Sequence, residues 1–294
     1  MSSTKYILLT AARNEEEFIE KPLQSVIAQS IKPIQWIIVS DGSTDKTDQI
    51  IMSYTEKYNF IKLIKISGDK SRNFGSKAKA IMYAYNSIEN ADFDFVGNVD
   101  ADISFERNYY EKLFEKFENN DKLGIAGGIR YDFCDDKFIL VHCAKNSVGG
   151  PFQMFRKKCF EDVQGYSSLK YGGIDAAAEI TARFLGWEVQ SFDDLTLFHY
   201  RCTGSARGKL LKSCIIDGYK LYHLGYHPLF FSLKMSSNIL RKPILVRYLL
   251  NLYGYFSLFI KGDSTSLSKG ISNYLKSEQK DRLLELIKFR KSSK

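Results

Sequence analysis

The chain has 294 residues, 44% hydrophobic and 26% charged, with five prolines. Those proportions exclude disordered, collagen-like and coiled-coil polypeptides, and fit one large domain with an extension or two domains in continuous packing. The net charge of +8 is unevenly placed: residues 1–200 hold 24 Lys/Arg against 29 Asp/Glu, a balance of −5, while residues 201–294 hold 18 against 5, a balance of +13. The two segments therefore serve different surfaces.

Tyr6–Thr10 is a short apolar run that predicts a buried strand. Phe18, Ile19, Leu23, Val26 and Ile27 recur at helical spacing across Phe18–Gln29, with Pro22 in the first turns. Trp36–Val39 predicts a second strand, ended by Asp41-Gly42, and Thr47–Tyr54 a second helix. Ile61–Ile66 alternates with lysines like a partly exposed strand; Ser76–Tyr85 predicts a third helix and Phe93–Val99 a fourth strand. Strands alternating with helices imply a parallel sheet with helices on both faces, whose ligands bind at the carboxyl ends of the strands. Arg13-Asn14-Glu15, Asp41-Gly42-Ser43 and Asp100-Ala101-Asp102 all fall at such ends.

Beyond residue 120 the regularity fades. Leu123–Ile129 and Phe138–His142 read as strands, and Gly149-Gly150-Pro151 as a turn before Phe152–Phe155. Asp175–Leu185 predicts a helix stopped by Gly186, followed by closing strands at Glu188–Phe192 and Thr196–His199. The remainder reads as helices and loops.

Cys134, Cys143, Cys159, Cys202 and Cys214 are odd in number and show no paired spacing, so reduced thiols in a cytoplasm are expected. His142 beside Cys143 lacks a partner pair at zinc spacing. The polar start Met1–Lys5 and the short apolar run after it do not read as a signal peptide.

Asp100-Ala101-Asp102 is the sharpest local feature. Alternation along an extended chain points both carboxylates the same way. Two hard anionic oxygens side by side suit Mg²⁺ or Mn²⁺, and that cation suits a diphosphate; a polar strand end is the plain alternative. Asp92-Phe93-Asp94 repeats the spacing, but at the wrong end of the strand. In Asp41-Gly42-Ser43-Thr44-Asp45 a carboxylate is placed to accept from a base N–H or a ribose hydroxyl; turn and cap chemistry explains the same residues.

Taken together, Ala11-Ala12-Arg13-Asn14-Glu15-Glu16, Val39-Ser40-Asp41-Gly42-Ser43-Thr44-Asp45-Lys46-Thr47 and Asn98-Val99-Asp100-Ala101-Asp102 resemble, in order and spacing, the family-2 inverting glycosyltransferases of GT-A fold. The likeness extends over residues 6–200, with Ala11 where the family usually has proline. It implies an α/β, GT-A type nucleotide-binding fold with a mixed, mostly parallel central sheet over residues 1–204, and a basic, aromatic-rich helical extension over 205–294. It also implies that Ala12 and Glu15 line the nucleoside pocket and that Asp41 contacts base or ribose. Arg72-Asn73-Phe74-Gly75-Ser76-Lys77 would pass near base and phosphates, with Lys77 among the binding groups. Asp100 would meet the ribose or a metal-bound water, and Asp102 the metal.

Gly172-Gly173-Ile174-Asp175, followed by Gly186-Trp187, resembles the family's acceptor segment, with Ile174 in place of the usual acidic residue. Asp175 would be the general base, with Glu179 one turn on as its reserve; a helix cap is the alternative reading of Asp175. His199 would be a further metal ligand or a hydrogen-bonded strand-end histidine, and Arg201 a phosphate partner. Gly149-Gly150-Pro151-Phe152 matches a region near donor sugar and acceptor. The Q-x-x-R-W signature of processive synthases is absent, which favours transfer of one sugar.

Residues 218–262 hold no Asp or Glu but contain Lys220, Lys234, Arg241, Lys242, Arg247 and Lys261, interleaved with aromatics. Ile244–Ile260, interrupted by Arg247 and Asn251, is short for a membrane span. Such a segment suits the headgroup layer of an anionic membrane, or packs its apolar face on the catalytic domain. The expected protein is thus a metal-dependent glycosyltransferase with a nucleotide-diphosphate sugar donor (UDP mildly favoured by the resemblance) and a glycan or lipid-linked acceptor. It would be cytoplasmic, at the inner face of a membrane. A catalytically silent nucleotide-sugar-binding protein is the alternative. Nucleic acid is not expected as a partner, because residues 1–200 are acidic and no recognised motif occurs.

Overall fold

The computed structural model describes residues 4–67, 74–89, 91–202, 210–237, 239 and 244–292. The chain divides into two compact units, Met1–Lys170 with Ile174–Thr203, and Tyr171–Gly173 with Gly204–Lys294.

The first unit opens with β1 (Tyr6–Ala12), α1 (Glu20–Ile27), β2 (Gln35–Asp41), α2 (Thr47–Thr55), β3 (Ile61–Ile66), α3 (Phe74–Asn86) and β4 (Phe95–Asn98). β1 pairs in parallel with both β2 and β4, and β2 with β3. Strands buried on both faces must be apolar along their whole length, and Tyr6, Ile7, Leu8 and Leu9 of β1 and Trp36, Ile37, Ile38 and Val39 of β2 are all buried. One buried polar chain crosses these strands: the Trp36 indole donates to Thr10 Oγ1 at 2.9 Å, and that hydroxyl donates to the Val99 carbonyl at 2.6 Å. It ties β2 to β1, and β1 to the residue after β4, just below the tips where polar motifs follow.

Then come β5 (Ile103–Phe105), α4 (Tyr109–Glu118), β6 (Leu123–Cys134), β7 (Lys137–Val141), β8 (Met154–Arg156), α5 (Lys157–Asp162), α6 (Ile174–Phe184) and β9 (Glu188–His199). The sheet runs β3-β2-β1-β4-β8-β6-β9-β5, with β7 also paired to β6. β8 is antiparallel to β4 and β6, whereas β6 and β9 are parallel. The two closing strands read from the sequence are one strand, β9, interrupted where Phe192 and Thr196 face the consecutive Gly128 and Ile129. A β-bulge of this kind hides the continuity of a strand from its residue pattern. The sequence predicts no element at α4, yet Tyr109, Tyr110, Leu113, Phe114 and Phe117 are all buried there, and Tyr6 lies 4.9 Å from both Tyr110 and Phe114 between ring centroids.

The expectation of reduced thiols is corrected at one pair: Cys134 and Cys202 are joined in a disulfide across 68 residues of sequence. Cys134 ends β6 and Cys202 follows β9, and the pairing of Asp132 with His199 brings the two ends together. No local spacing carries that signal. Cys143, Cys159 and Cys214 are free thiols.

The second unit contains α7 (Leu210–His223), α8 (Pro228–Ser236), α9 (Val246–Lys261) and α10 (Lys269–Ser292). α7 and α9 meet at two glycines: a Cβ on Gly218 would stand 2.3 Å from the Asn251 carbonyl oxygen, and one on Gly254 2.2 Å from that of Ile215. The Asn251 amide seals the contact by donating to the Cys214 carbonyl at 2.8 Å. Arg241 and Lys242, two of the expected basic residues, lie outside the described residues.

Closing a loop of this length removes unfolded-chain entropy worth about 4 kcal/mol. Reduction with dithiothreitol, or Cys134→Ser, is therefore expected to lower the melting temperature measured by scanning calorimetry, with no further effect of reductant on the variant.

Candidate active site

The tips of β1, β2 and β4 open onto one cleft of about 210 Å³, whose lining includes Ala12, Arg13, Glu15, Asp41, Ser76, Lys77, Asp100, Asp102 and Arg201. Two of its walls are zipped together by side chains that cap backbone groups. Asn14, at φ 55°, accepts the Thr44 N–H on Oδ1 at 2.8 Å. Asp45 accepts the Thr47 and Glu16 N–H groups at 3.0 and 3.1 Å, and Thr47 Oγ1 accepts the Glu15 N–H at 2.7 Å. Asp45 thus carries the turn and cap chemistry, while Asp41 faces the cleft with Arg13 Nη1 at 3.8 Å. Gly42 turns the chain between them at φ 67°.

The two carboxylates of Asp100-Ala101-Asp102 engage different partners. Asp100 takes Lys77 Nζ at 2.6 and 2.7 Å and the Asn98 amide at 3.1 Å. Asp102, nearly buried, has His199 Nε2 at 3.3 Å and Arg201 Nη1 at 3.4 Å. Burial alone would push its carboxyl up, but the hydrogen bond and charge of His199, then Arg201 and Lys77, hold it below the usual carboxylate range. His199 is shared on its other nitrogen: Nδ1 stands 2.9 Å from Oδ1 of buried Asp132, which also has Arg130 Nε at 2.8 Å. Burial pulls the imidazole down, yet its two carboxylate partners raise it to about 9. Arg201 forks onto Glu15, with Nη1 at 3.0 Å from Oε1 and Nη2 at 2.5 Å from Oε2, and its guanidinium lies 4.5 Å from the Phe18 ring centroid. The competing Asp92 is 87% exposed and pairs with Lys5 at 2.8 Å, away from this cleft.

Among the described residues no group of three His, Cys, Asp or Glu is arranged to hold a metal. Asp102 and, once it has given up its Nε2 proton, His199 have the spacing of two ligands on an octahedral cation. Neighbouring ligands on Mg²⁺, each about 2.1 Å from the ion, stand about 3 Å apart; Asp102 Oδ2 and His199 Nε2 are 3.3 Å apart.

Asp175 lies in the first turn of α6 and is not among the residues lining the cleft. It presses on Gly150, where a Cβ would sit 2.7 Å from its Oδ2. The Gly150 carbonyl accepts the Asn98 amide at 2.7 Å, and the Asp100 N–H donates to the Pro151 carbonyl at 2.9 Å. The segment around Gly149-Gly150-Pro151 therefore links Asp175 to the end of β4. Glu179 anchors its other side: Oε1 accepts the Val148 N–H at 2.7 Å and the Gln153 amide at 2.9 Å, and Oε2 accepts the Ser147 hydroxyl at 2.8 Å. These bonds occupy the reserve base in holding backbone and side chains. Asp132 and Gln153 escape the sequence reading, and Arg13 and Asn98 enter it only as members of the strand-end motifs, with no partner assigned. Arg72 and Asn73 lie outside the described residues.

The profile of Glycosyl transferase family 2 matches residues 8–165, more than half of the chain. The chain belongs to glycosyl transferase family 2. This family-2 chain is 30% identical over 177 residues to poly-beta-1,6-N-acetyl-D-glucosamine synthase of Staphylococcus aureus strain COL, covering 54% of this chain and 40% of that protein. It is 26% identical over 204 residues to the synthase of the same name from Staphylococcus epidermidis, covering 63% and 45%. The family-2 chain thus spans less than half the length of these curated relatives. In fold it is similar to S. aureus TarS 1–349 in complex with UDP-GlcNAc (TM-score 0.57, 13% identity, 88% of this chain and 74% of that one). It is also similar to the mannosyltransferase PcManGT of Pyrobaculum calidifontis in complex with GDP-Man and Mn²⁺ (TM-score 0.56, 14% identity, 87% and 74%). The α/β architecture is therefore of GT-A type.

Glu179 is raised to about 7, first by burial and then by the charge of Asp175, against the hydrogen bonds from Val148 and Ser147 and the charge of Arg183. A carboxyl raised on folding contributes stability that is complete below its ordinary value and is lost as the pH climbs through the raised one. Glu179→Gln keeps the shape and removes the titration. Its melting temperature is expected to stay nearly flat between about pH 5 and 6.5, below the range in which the raised His199 adds its own loss, where the wild type loses about 2 kcal/mol.

Proposed function

We propose that this family-2 protein is an inverting glycosyltransferase that moves one sugar from a nucleotide-diphosphate sugar to a hydroxyl of a glycan or lipid-linked acceptor. The observation that carries the reading is the convergence of Glu15, Asp41, Asp100 and Asp102 with Lys77 and Arg201 on one cleft at the strand tips. Asp41 and Glu15, with the backbone at Ala12, would take the nucleoside. Lys77 and Arg201, now paired with carboxylates, would turn to the diphosphate oxygens, where a guanidinium fork is worth most. Asp102 and His199, with Asp100 beside them, would hold Mg²⁺ or Mn²⁺. When bound, the cation supplies positive charge against the leaving diphosphate.

Asp175 would accept the acceptor's hydroxyl proton as that oxygen attacks the anomeric carbon from the face opposite the departing diphosphate. The C–O bond to the phosphate breaks as the new one forms, so the configuration inverts and one carboxylate base suffices. UDP-GlcNAc is the first donor to test, because a fold neighbour binds it and the curated relatives are named for N-acetylglucosamine polymers. GDP-Man is the second, from the other neighbour. Transfer of a single sugar rests on the absence of Q-x-x-R-W from the sequence. A cytoplasmic placement at the inner face of a membrane is supported by the basic balance of residues 201–294. The Cys134–Cys202 bond counts against it, since reducing compartments keep thiols apart.

One feature favours the silent, nucleotide-sugar-binding reading: Asp175 touches Gly150 and is not among the residues that line the cleft. Two variants separate the readings. With donors assayed by thermal shift with and without Mn²⁺, and transfer followed by release of the nucleoside diphosphate, Asp102→Asn is expected to lose the Mn²⁺-dependent part of donor binding. Its turnover should fall about 100-fold or more. Asp175→Asn is expected to bind donor as the wild type does, while transfer falls about 10²–10⁴-fold; transfer at the wild-type rate would take the base role from it.

A further inference from the structure

Helix α9 carries apolar residues on two opposite sides, and among the described residues only one of them is covered. Asn251, Gly254, Tyr255 and Leu258 are buried, the first two at the contact with α7. On the other side Val246, Leu249, Tyr253 and Ile260 are 39%, 58%, 61% and 82% exposed. Their spacing of three, four and seven puts them on one stripe running the length of the helix. Helix α8, joined to α9 by Phe231 stacked on Tyr255 at 4.2 Å, also exposes Leu229 and Leu233, one turn apart, at 55% and 51%. A stable helix has no internal reason to keep large side chains of this kind in water, and contiguous exposed apolar surface marks a place of contact.

Charge selects the partner. Between Asp217 and Asp263 the chain has no acidic residue, while residues 201–294 carry a balance of +13 and Lys261 borders the stripe beside Ile260 at the end of α9. An isologous contact with a second copy would set cationic flank against cationic flank. An anionic bilayer presents the opposite sign, together with an apolar layer just beneath it. Among the described residues no helix is long and apolar enough to cross a membrane, and a helix of 16 residues is about 24 Å long, suited to lying in the interface.

We propose that the exposed stripe of α9 is an interfacial surface that seats the second unit on an anionic lipid bilayer. Leu249, Tyr253 and Ile260 enter the acyl boundary, and Lys261 meets phosphate headgroups. This surface goes beyond the catalytic reading and does not depend on it, because its test measures no turnover.

The full chain is mixed with vesicles of phosphatidylcholine alone and with vesicles containing 30% phosphatidylglycerol, sedimented, and assayed for bound protein at low and high salt. Binding is expected on the anionic vesicles only, weakening as salt rises. The variant L249S/Y253S is expected to lose at least about tenfold in partitioning with its melting temperature unchanged. Lys261→Glu is expected to weaken the anionic preference with its melting temperature unchanged. Tyr253→Trp adds a reporter whose emission brominated lipids quench beyond the wild-type level if the stripe enters the bilayer. No binding to anionic vesicles, equal binding to both kinds, undiminished binding of L249S/Y253S, or no added quenching would overturn the proposal. So would light scattering that finds a dimer which L249S/Y253S converts to monomer, since the face would then belong to a second copy.

Discussion

Carboxylates gathered at strand tips repel one another, and a cleft partly withdrawn from water cannot screen them. The GT-A unit meets this constraint with cations that reach in from other elements. Lys77 comes from α3, Arg201 from just beyond β9, and His199 from the last position of β9. Each acidic group has a partner at hydrogen-bond or ion-pair distance: Glu15 with Arg201, Asp41 with Arg13, Asp100 with Lys77, Asp102 with His199. Pairs of this kind are held ready for exchange. A diphosphate offers the cations better geometry than a carboxylate does, and a divalent ion offers the carboxylates more charge than a lysine does.

The sheet makes that gathering possible. The parallel pairing of β1 with β2 and β4 puts three carboxyl ends side by side, and the Trp36–Thr10–Val99 chain holds them in step. The bulge in β9 and the disulfide after it then fix the far wall. Because β9 reaches His199 opposite Asp132, the imidazole stands between two carboxylates, one from the cleft and one from β6. The segment around Gly150 works in a similar way, tied to β4 on one side and to buried Glu179 on the other. Asp175 is placed by that packing and by its helix, not by the cleft.

The second unit follows a different logic. Its helices pack through glycines and a buried asparagine, which brings α7 and α9 very close. That closeness covers one side of α9 and leaves the other with large apolar residues in solvent. The change in charge balance at about residue 200 marks the same division seen in the compact units.

From sequence alone, the alternating elements and the strand-end motifs were legible, because strand period, turn chemistry and local spacing are encoded within a few residues. That Glu15, Asp41, Asp100 and Asp102 lie at neighbouring strand ends followed from where such motifs fall in a parallel sheet; that Ala12, Lys77 and Arg201 belong with them was implied by the family resemblance. What the residue pattern did not carry was everything set by distant pairing. The Cys134–Cys202 bond spans 68 residues, the Asp132 partner of His199 comes from another strand, and β9 is continuous only through a bulge. Whether Glu179 is a free base or a buried anchor depends on Ser147, Val148 and Gln153, which only folding brings to it. Likewise, an apolar helix reads the same in sequence whether one side or both are covered; only tertiary packing decides which side water meets.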